Sequence, residues 1–216
     1  MDICGNKPTE RLGIFGGAFN PPHFGHLRSA LEVREALNLQ HLLFLPAGGH
    51  PFKQGKLAAG HHRLAMMRLA VGEMAGFGVC DLEISRQGLS YTVDTLATLH
   101  HRFPDKELYF LLGADLFAEL HHWKSWQRLI ELAHLCVMVR PGYEELLQAS
   151  PAAQWLNGQS ALPNRWIIQP VTALGISSSD IRQRLTDNRS IRFLTPDPVV
   201  GYIQQHGLYK GNPYES

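Results

Sequence analysis

The feature that most constrains the fold is a short apolar run that ends in a pair of glycines. The run spans residues 11–16, and Gly17 follows it directly. Such a run is typical of a buried strand that enters a tight turn. A helix is predicted from about residue 23 to residue 37, because apolar side chains recur there at helical spacing. A strand, a glycine-rich turn and a helix in this order indicate a β-α unit.

The remainder of the chain repeats this alternation. Further strands are predicted at 42–46, 78–84, 107–112, 134–139 and 165–169, and further helices at 61–75, 91–101, 115–131 and 178–186. Residues 47–60 are predicted to form a loop, and residues 141–163 an excursion from the sheet. The order predicts an α/β fold, a Rossmann-like, doubly wound parallel sheet with helices on both faces.

The length and charge favour one domain without a strong surface field. At 216 residues the chain fits a single domain over 1–216, with a core at about 11–186 and a small C-terminal helical element at about 187–210. Lys and Arg number 20 and Asp and Glu number 19, so no overall field draws the protein to nucleic acid or to an anionic membrane. Residues after Lys210 are expected to fray.

The sequence also indicates a cellular compartment. It contains no run of about 18 apolar residues, and its first residues lack the basic-then-apolar order of an export signal. Cys4, Cys80 and Cys136 are odd in number and far apart, which favours reduced thiols over a disulfide framework or a zinc site. We therefore expect a soluble, cytoplasmic protein.

The strongest functional pattern follows the first strand and reads GGAFNPPHFGH over residues 16–26. Residues 16–20, the glycine turn, let backbone amides approach a ligand closely, and the N-terminus of the helix that follows is a site for anions. His23 and His26 are three residues apart, so both rings project from one side of the first helical turn and could reach the same phosphate. Gly25 is expected to leave space for that ligand.

This pattern excludes two common nucleotide motifs and leaves one alternative. It is neither the G-x-G-x-x-G of dinucleotide dehydrogenases nor the G-x-x-x-x-G-K-[ST] of P-loop enzymes. A His-x-x-His metal pair is conceivable but disfavoured, because no Cys or carboxylate lies close in the motif as a third ligand. A lone histidine on such a helix would more often be a surface or core residue, but the joint pattern favours phosphate binding.

A second motif, ISSSDIR, occupies residues 176–182. Ser177 and Ser178 are good N-cap residues, and Asp180 follows Ser177 by three positions, as in a capping box. Arg182 lies one helical turn after Ser178 and could direct its guanidinium at a polyphosphate. Alone, the motif would be a capped helix with a surface arginine. Paired with the histidine motif, it predicts the opposite side of one site.

The two motifs together resemble a known superfamily. An H-x-G-H element behind a glycine turn is similar to the nucleotidyltransferases that share adenylate chemistry with class I aminoacyl-tRNA synthetases, and residues 176–182 resemble their I-S-S-T-x-I-R, with Ser179 in place of Thr. The resemblance implies that ATP binds across the carboxyl edge of the sheet, where the strand order reverses. The ATP contacts that it implies are Gly16, Gly17, Ala18, Phe19, Gly113, Asp115, Ile176, Ser177 and Ser178.

Most of the chain, from about residue 13 to residue 209, resembles the bacterial nicotinate-nucleotide adenylyltransferases, which make deamido-NAD from nicotinate mononucleotide and ATP. Residues 90–96 are similar to the family's S-Y-T-x-x-T-L, and residues 112–115 with Trp123 resemble its G-x-D…W segment. Residues 46–53 resemble a P-x-x-x-P-P-H-K loop, in which Lys53 matches and His50 departs from the pattern. Ala18 and Asn20 stand where the family commonly has Thr and Asp.

The resemblance also implies roles for individual residues. It makes His23, His26, Lys53 and Arg182 the catalytic residues, which neutralise charge on the phosphates of ATP. For nicotinate mononucleotide it implies carboxylate binding by the backbone amides of Thr92 and Lys124, stacking on Trp123 and phosphate binding by Arg140. From the residues alone, Trp123 would be core packing, Thr92 a helix cap and Asp115 equally well an N-cap.

The implied reaction is a direct in-line attack of the mononucleotide phosphate on the α-phosphorus of ATP, without a covalent intermediate. Mg²⁺ is expected to arrive with ATP, with no metal site on the protein. The expected partners are ATP and nicotinate mononucleotide, with neither nucleic acid nor membrane, and the oligomeric state stays open. The alternatives are a nicotinamide-mononucleotide or pantetheine-phosphate adenylyltransferase and a non-catalytic adenine-nucleotide sensor. Residues 90–96 and Trp123 favour the nicotinate enzyme.

Overall fold

The fold is taken from a computed structural model, which describes residues 9–48, 57–140, 142, 147, 150–158 and 165–210. Its sheet contains six strands: β1 (Glu10–Gly17), β2 (His41–Pro46), β3 (Phe77–Val79), β4 (Lys106–Gly113), β5 (His134–Val139) and β6 (Trp166–Pro170). All neighbours are parallel, in the order β3-β2-β1-β4-β5-β6. The chain winds outward from β1 in one direction and from β4 in the other, which confirms the doubly wound sheet.

Helices cover both faces of this sheet. They are α1 (Phe24–Ala36), α2 (Gly60–Val71), α3 (Thr92–Arg102), α4 (Ala114–Ala118), α5 (Leu129–Leu132), α6 (Pro151–Asn157), α7 (Ser178–Thr186) and α8 (Asp197–Gln205). Among the described residues, none of these helices combines the length and the apolar character needed to span a bilayer.

Two buried clusters hold the layers together. The α3-side cluster includes Leu96 of α3 and Phe117 of α4, whereas the α1-side cluster includes Ala30 of α1 and Met66 of α2. Successive strand residues contribute to opposite clusters: Ile14, Phe110 and Leu112 to the first, and Phe15, Phe44 and Leu111 to the second. This alternation follows from the pleat of a strand and buries the sheet on both faces. Val199 and Ile203 of α8 join the α1-side cluster.

Three of the element bounds predicted from the sequence are wrong. The strand predicted at 78–84 ends at Val79, because the chain then forms a turn in which the Ser85 N–H donates to the Asp81 carbonyl at 2.9 Å. The helix predicted at 61–75 ends at Val71, where Gly72 adopts a left-handed φ of 56°. The helix predicted at 115–131 is broken into α4, two 3₁₀ turns (Leu120–His122 and Trp126–Arg128) and α5. Ser125, with φ 46°, interrupts helical geometry between them.

Several other predictions fall partly or wholly outside the described residues. The loop predicted at 47–60 is described at 47–48 and 57–60, and α2 begins at its last residue. Lys53 and His50 lie outside the described residues, as do the residues after Lys210. Within the excursion predicted at 141–163, the structure describes α6 after an N-cap at Ser150, whose hydroxyl oxygen accepts from the Ala153 N–H.

Candidate active site

A cleft of about 710 Å³ opens at the carboxyl ends of β1 and β4, where the strand order reverses. The predicted site residues that line it are Gly16, Gly17, Ala18, Phe19, His23, His26, Gly113, Asp115, Arg140, Ile176, Ser177, Ser178 and Arg182. Both sequence motifs therefore face one cavity. Thr92, Trp123 and Lys124 do not line it.

An aromatic ring of the glycine turn is packed in the hydrophobic core. Phe19 has a left-handed φ of 46° and is 1% exposed, with its ring edge-on to Phe15 at 5.5 Å and to Phe44 at 5.7 Å. Its ring therefore belongs to the core, although Phe19 also lines the cleft. A Cβ at Gly17 would lie 2.9 Å from this ring, and one at Gly16 would lie 3.3 Å from the ring of Phe110. Glycine at both positions is therefore needed for this packing.

The two histidines stack on each other at the start of α1. Their ring centroids are 3.7 Å apart, and Nδ1 of His26 accepts the backbone N–H of His23 at 3.2 Å. Because Nδ1 of His26 is an acceptor, the neutral ring carries its proton on Nε2, which is left as a donor. Gly25 lines the cleft, and a Cβ there would lie 2.9 Å from Nδ1 of His23, so the missing side chain also makes room for the imidazole.

Burial keeps both imidazoles uncharged. It lowers the pKa of His23 to about 4, and the nearby positive charge of Arg140 adds to this effect. Burial also holds the pKa of His26 well below its usual range, with His23 as the second cause. Nδ1 of His23 is buried and has no hydrogen-bond partner among the described residues. An anion in the cleft would meet neutral N–H donors that have already lost their hydration.

Helix α7 forms the opposite wall and is bonded to the glycine turn. The Ser177 hydroxyl oxygen accepts the Asp180 N–H at 3.0 Å, which confirms the predicted N-cap. The Ser178 hydroxyl donates to the Pro21 carbonyl at 2.8 Å, and Nη1 of Arg182 donates to the Asn20 carbonyl at 2.7 Å. The Arg182 guanidinium, which was expected to meet the polyphosphate, and the Ser178 hydroxyl thus join the two motifs. A guanidinium has further N–H donors, so Arg182 retains capacity for a ligand.

Sequence reasoning missed an arginine that is hydrogen-bonded to the glycine turn. Arg63 of α2 is 3% exposed, and its Nε donates to the Ala58 carbonyl at 2.9 Å while Nη1 donates to the Ala18 carbonyl at 3.0 Å. A signal was available, because Arg63 shares the buried helical stripe of Met66, Met67 and Ala70. A charged residue on such a stripe needs buried partners, and here they are backbone carbonyls.

Asp115 lies at the end of β4, although it is not the N-cap that the sequence allowed. Gly113 is the N-cap of α4, and Asp115 belongs to the first helical turn. A Cβ at Gly113 would come within 2.6 Å of Oδ1 of Asp115, so the carboxylate folds over this glycine. Its oxygens are thereby held at the rim of the cleft.

Of the residues expected to bind the pyridine nucleotide, Thr92, Trp123 and Lys124 lie outside the cleft, whereas Arg140 lines it. Nζ of Lys124 donates to the Asp94 carboxylate at 2.9 Å and lies 4.6 Å from the centroid of the Tyr91 ring. Thr92 is the first residue of α3, directly after Tyr91. Trp123 packs edge-on against Phe110, with ring centroids 6.4 Å apart. Phe110 also lies next to Gly16, so the Phe110 ring separates Trp123 from the glycine turn.

Comparison with known proteins agrees with this geometry. Residues 14–184 match the model of the cytidylyltransferase-like family. The chain is 41% identical over 212 residues to a probable nicotinate-nucleotide adenylyltransferase of Desulfitobacterium hafniense (strain Y51), covering 95% of this chain and 98% of that protein. It is 46% identical over 200 residues to a protein with the same name from Roseiflexus sp. (strain RS-1), covering 92% of this chain and 98% of the relative.

A solved structure shares the fold. The nicotinic acid mononucleotide adenylyltransferase of Plasmodium falciparum, complexed with NaAD, superposes with a TM-score of 0.72 at 21% identity and covers 93% of this chain and 97% of its own. The sheet order and the two motifs at its switch point define a nucleotidyltransferase of the cytidylyltransferase-like class. Within that class, the chain belongs to the nicotinate-nucleotide adenylyltransferase family.

Proposed function

We propose that the protein transfers the adenylyl group of ATP to nicotinate mononucleotide, giving deamido-NAD and pyrophosphate, as a cytoplasmic step of NAD biosynthesis. One observation carries the proposal: the imidazoles of His23 and His26 and the guanidinium of Arg182 face the same cleft at the switch point of the sheet. The reaction is the one named for the relatives that match almost the whole chain.

In this proposal the triphosphate of ATP lies against the glycine turn and the N-terminus of α1. The amides of Gly17, Ala18 and Phe19 would approach the phosphates, and the partial positive charge of the helix end favours an anion there. Asp115 would contact the ribose, and the backbone of residues 176–178 would hold the nucleotide from the opposite wall. Lys53 would meet the β- and γ-phosphates.

In this reaction the protein would stabilise the negative charge that develops on the phosphates. The nucleophile is the phosphate of nicotinate mononucleotide, which is already an anion and needs no general base. As it attacks the α-phosphorus in line, the α–β bridging bond breaks and negative charge moves to the departing pyrophosphate. The Nε2–H of His26 and the guanidinium of Arg182 would strengthen their hydrogen bonds as that charge grows, which lowers the barrier.

We propose that Mg²⁺ enters as part of the substrate Mg·ATP. Among the described residues, no group of three or more His, Cys, Asp or Glu side chains is arranged to hold a metal ion. The histidines and arginines on the cleft suit phosphate oxygens better than a hard cation. The ion would then be held by phosphate oxygens and water.

The acceptor would be selected by its carboxylate. In the proposed pose the pyridine ring stacks on Trp123, the amides of Thr92 and Lys124 donate to the carboxylate, and Arg140 holds the 5′-phosphate. A carboxamide would direct its NH₂ at an N–H donor. Because an unpaired buried donor costs about 1–3 kcal/mol, nicotinamide mononucleotide would be disfavoured by roughly tenfold or more.

The test is pyrophosphate release from ATP with nicotinate mononucleotide, nicotinamide mononucleotide and phosphopantetheine, assayed side by side. We expect the highest kcat/KM with nicotinate mononucleotide. A higher kcat/KM with either other acceptor would reassign the substrate. Tight ATP binding with no pyrophosphate from any acceptor would indicate a nucleotide sensor and would refute the enzyme.

A further inference from the structure

The tail that follows α8 folds back onto the candidate ATP site. Gly207 adopts a left-handed φ of 60°, and the Leu208 N–H donates to the Ile203 carbonyl at 3.0 Å, so the chain reverses directly after the helix. Tyr209, also left-handed at 61°, then points inward, and its hydroxyl donates to Oδ1 of Asn20 at 2.7 Å. A residue near the C-terminus thus contacts the glycine turn.

Asn20 connects this tail to two further segments. It is 2% exposed, and the same Oδ1 that accepts from Tyr209 also accepts the Ala58 N–H at 3.0 Å. Its backbone carbonyl accepts from Arg182 of α7. One side-chain oxygen therefore joins the glycine turn, the residues that lead into α2 and the C-terminal tail. Asn20 is also a lining residue of the cleft, three positions before His23.

Arg63 also donates hydrogen bonds to two of the segments that Asn20 joins. It holds the Ala58 carbonyl and the Ala18 carbonyl, so both backbone groups of Ala58 are bonded to side chains around the turn. Burial raises the pKa of Tyr209, which keeps its hydroxyl protonated and able to donate. These bonds leave the glycine turn bonded from α2, from α7 and from the tail.

The chemistry of Asn20 suits a brace next to an anion. Its carboxamide supplies the acceptor that both donors need and brings no negative charge to a site for phosphates. An aspartate, which the family commonly has at this position, would supply the same acceptor oxygen. The bond from Tyr209 therefore depends on the side-chain oxygen of residue 20, which Asn20 supplies here without a charge.

We propose that Tyr209 is a positioning residue for adenylyl transfer: through Oδ1 of Asn20 it holds the glycine turn where its amides and the two histidines receive the triphosphate of ATP. Tyr209 does not itself line the cleft, so it acts through Asn20. The inference rests on the proposed function for its kinetic readout and on ATP binding for an independent one.

The test compares two single-hydroxyl deletions on the same C-terminal element. Tyr209→Phe removes the O–H that reaches Asn20. Tyr202→Phe is the matched control, because its hydroxyl lies 3.0 Å from Nδ1 of His62, away from the glycine turn. We expect Tyr209→Phe to lower kcat/KM for ATP by about three- to tenfold, the usual value of one hydrogen bond, with the KM for nicotinate mononucleotide changed less than twofold. Tyr202→Phe should leave both constants unchanged.

Calorimetric titration with α,β-methylene-ATP separates this inference from the proposed function. Tyr209→Phe should bind the analogue about three- to tenfold more weakly than the parent and the control, even if no acceptor is turned over. If the hydroxyl acts through Asn20, Tyr209→Phe should have no further effect in an Asn20→Ala background. If the double variant does not fold, the single-variant titration decides.

Two results would overturn the inference. One is an affinity of Tyr209→Phe for α,β-methylene-ATP equal to that of the parent. The other is a lower melting temperature accompanied by equal losses of kcat/KM for both substrates, which would indicate a packing role alone.

Discussion

The two histidines of the cleft combine the capacity to donate with the absence of charge. Nδ1 of His26 is taken by a backbone N–H, which leaves Nε2 as the donor, and the low pKa keeps the ring neutral at pH 7. A neutral donor that faces an oxygen gains strength as that oxygen becomes more negative. His26 should therefore act more on the transition state than on bound ATP.

His26→Ala should reduce kcat by about 100-fold or more, the usual cost of removing one donor from a developing charge. The affinity for α,β-methylene-ATP should change only a few-fold. Stopped-flow pyrophosphate detection and calorimetry give the two numbers. His101→Ala, at an exposed position of α3, is the control. A kcat close to that of the parent enzyme would remove His26 from the mechanism.

The buried state of His23 makes stability depend on pH. Its pKa is about 4 in the folded protein against an ordinary 6.5, so between these values the unfolded chain binds more protons and stability falls as the pH falls. Above pH 6.5 the contribution is constant. Since one pKa unit corresponds to about 1.4 kcal/mol, this histidine alone accounts for about 3 kcal/mol of the loss between pH 7 and pH 4.

Urea unfolding at pH 7, 5.5 and 4.5 measures this dependence. His23→Gln should show a smaller loss of the free energy of unfolding over the same interval, because it removes the group that titrates. Equal losses in both proteins would show that His23 is not the group responsible.

At this scale, the sequence predicted which residues face the cleft better than it predicted their contacts. Gly16, His23 and Arg182 could be selected because their spacing is local to one turn or one helix. The bond from Arg182 to Asn20 spans 162 positions in sequence, and that from Tyr209 to Asn20 spans 189. No periodicity encodes such pairs, since they depend on where the sheet brings distant segments.

Among the elements, those with a clear apolar run or stripe or a clear N-cap were predicted to within a residue or two. α1, α7 and β5 are examples, with observed bounds Phe24–Ala36, Ser178–Thr186 and His134–Val139. The predicted helix over 115–131 failed because Leu120, Leu129 and Ile130 are all buried although 3₁₀ turns separate them. Apolar spacing alone does not distinguish a broken helix from a continuous one.

β3 is short because the segment that follows it makes polar contacts away from the sheet. Beyond it, Glu83 is 8% exposed, and its carboxylate accepts the Gly48 N–H at 3.1 Å and the Thr95 hydroxyl at 2.9 Å. Nη1 of Arg86 donates to the same Thr95 oxygen at 3.1 Å. The segment after β3 therefore leaves the sheet to tie the end of β2 to α3.

Glu83→Gln should destabilise the protein by about 1–3 kcal/mol, because an NH₂ group would then face one of these two donors in a buried place. Thermal and urea unfolding measure the change. Glu35→Gln, at an exposed position of α1, is the control and should change stability by less than about 0.5 kcal/mol. Equal stabilities of Glu83→Gln and the parent protein would show that the network adds nothing.

Considered as a whole, the molecule packs the aromatic neighbours of His26 and the ring of Trp123 on opposite faces of the sheet. Phe15 and Phe19, which pack edge-on to His26, belong to the α1-side cluster, whereas Trp123 packs on the α3-side cluster. The sheet separates the two clusters. Substitution of Trp123 should therefore affect mainly the pyridine nucleotide.

Trp123→Ala should raise the KM for nicotinate mononucleotide by about tenfold, through loss of a stacking face, with less than a threefold change in the KM for ATP. Steady-state kinetics with each substrate varied in turn gives both values. Trp126→Ala is the control, because Trp126 packs in the same cluster but pairs with Trp155. Equal effects on both substrates would contradict a stacking role for Trp123.

The central position of β1 has a consequence for synthesis. β1 is hydrogen-bonded on one side to β2, which soon follows it, and on the other to β4, with Glu10 opposite Lys106, 96 positions later. During translation, one edge of β1 has no partner strand until β4 has emerged. The opposite wall of the cleft forms only after α7 has emerged. A nascent chain should therefore become competent to retain a nucleotide only after α7 has been synthesised.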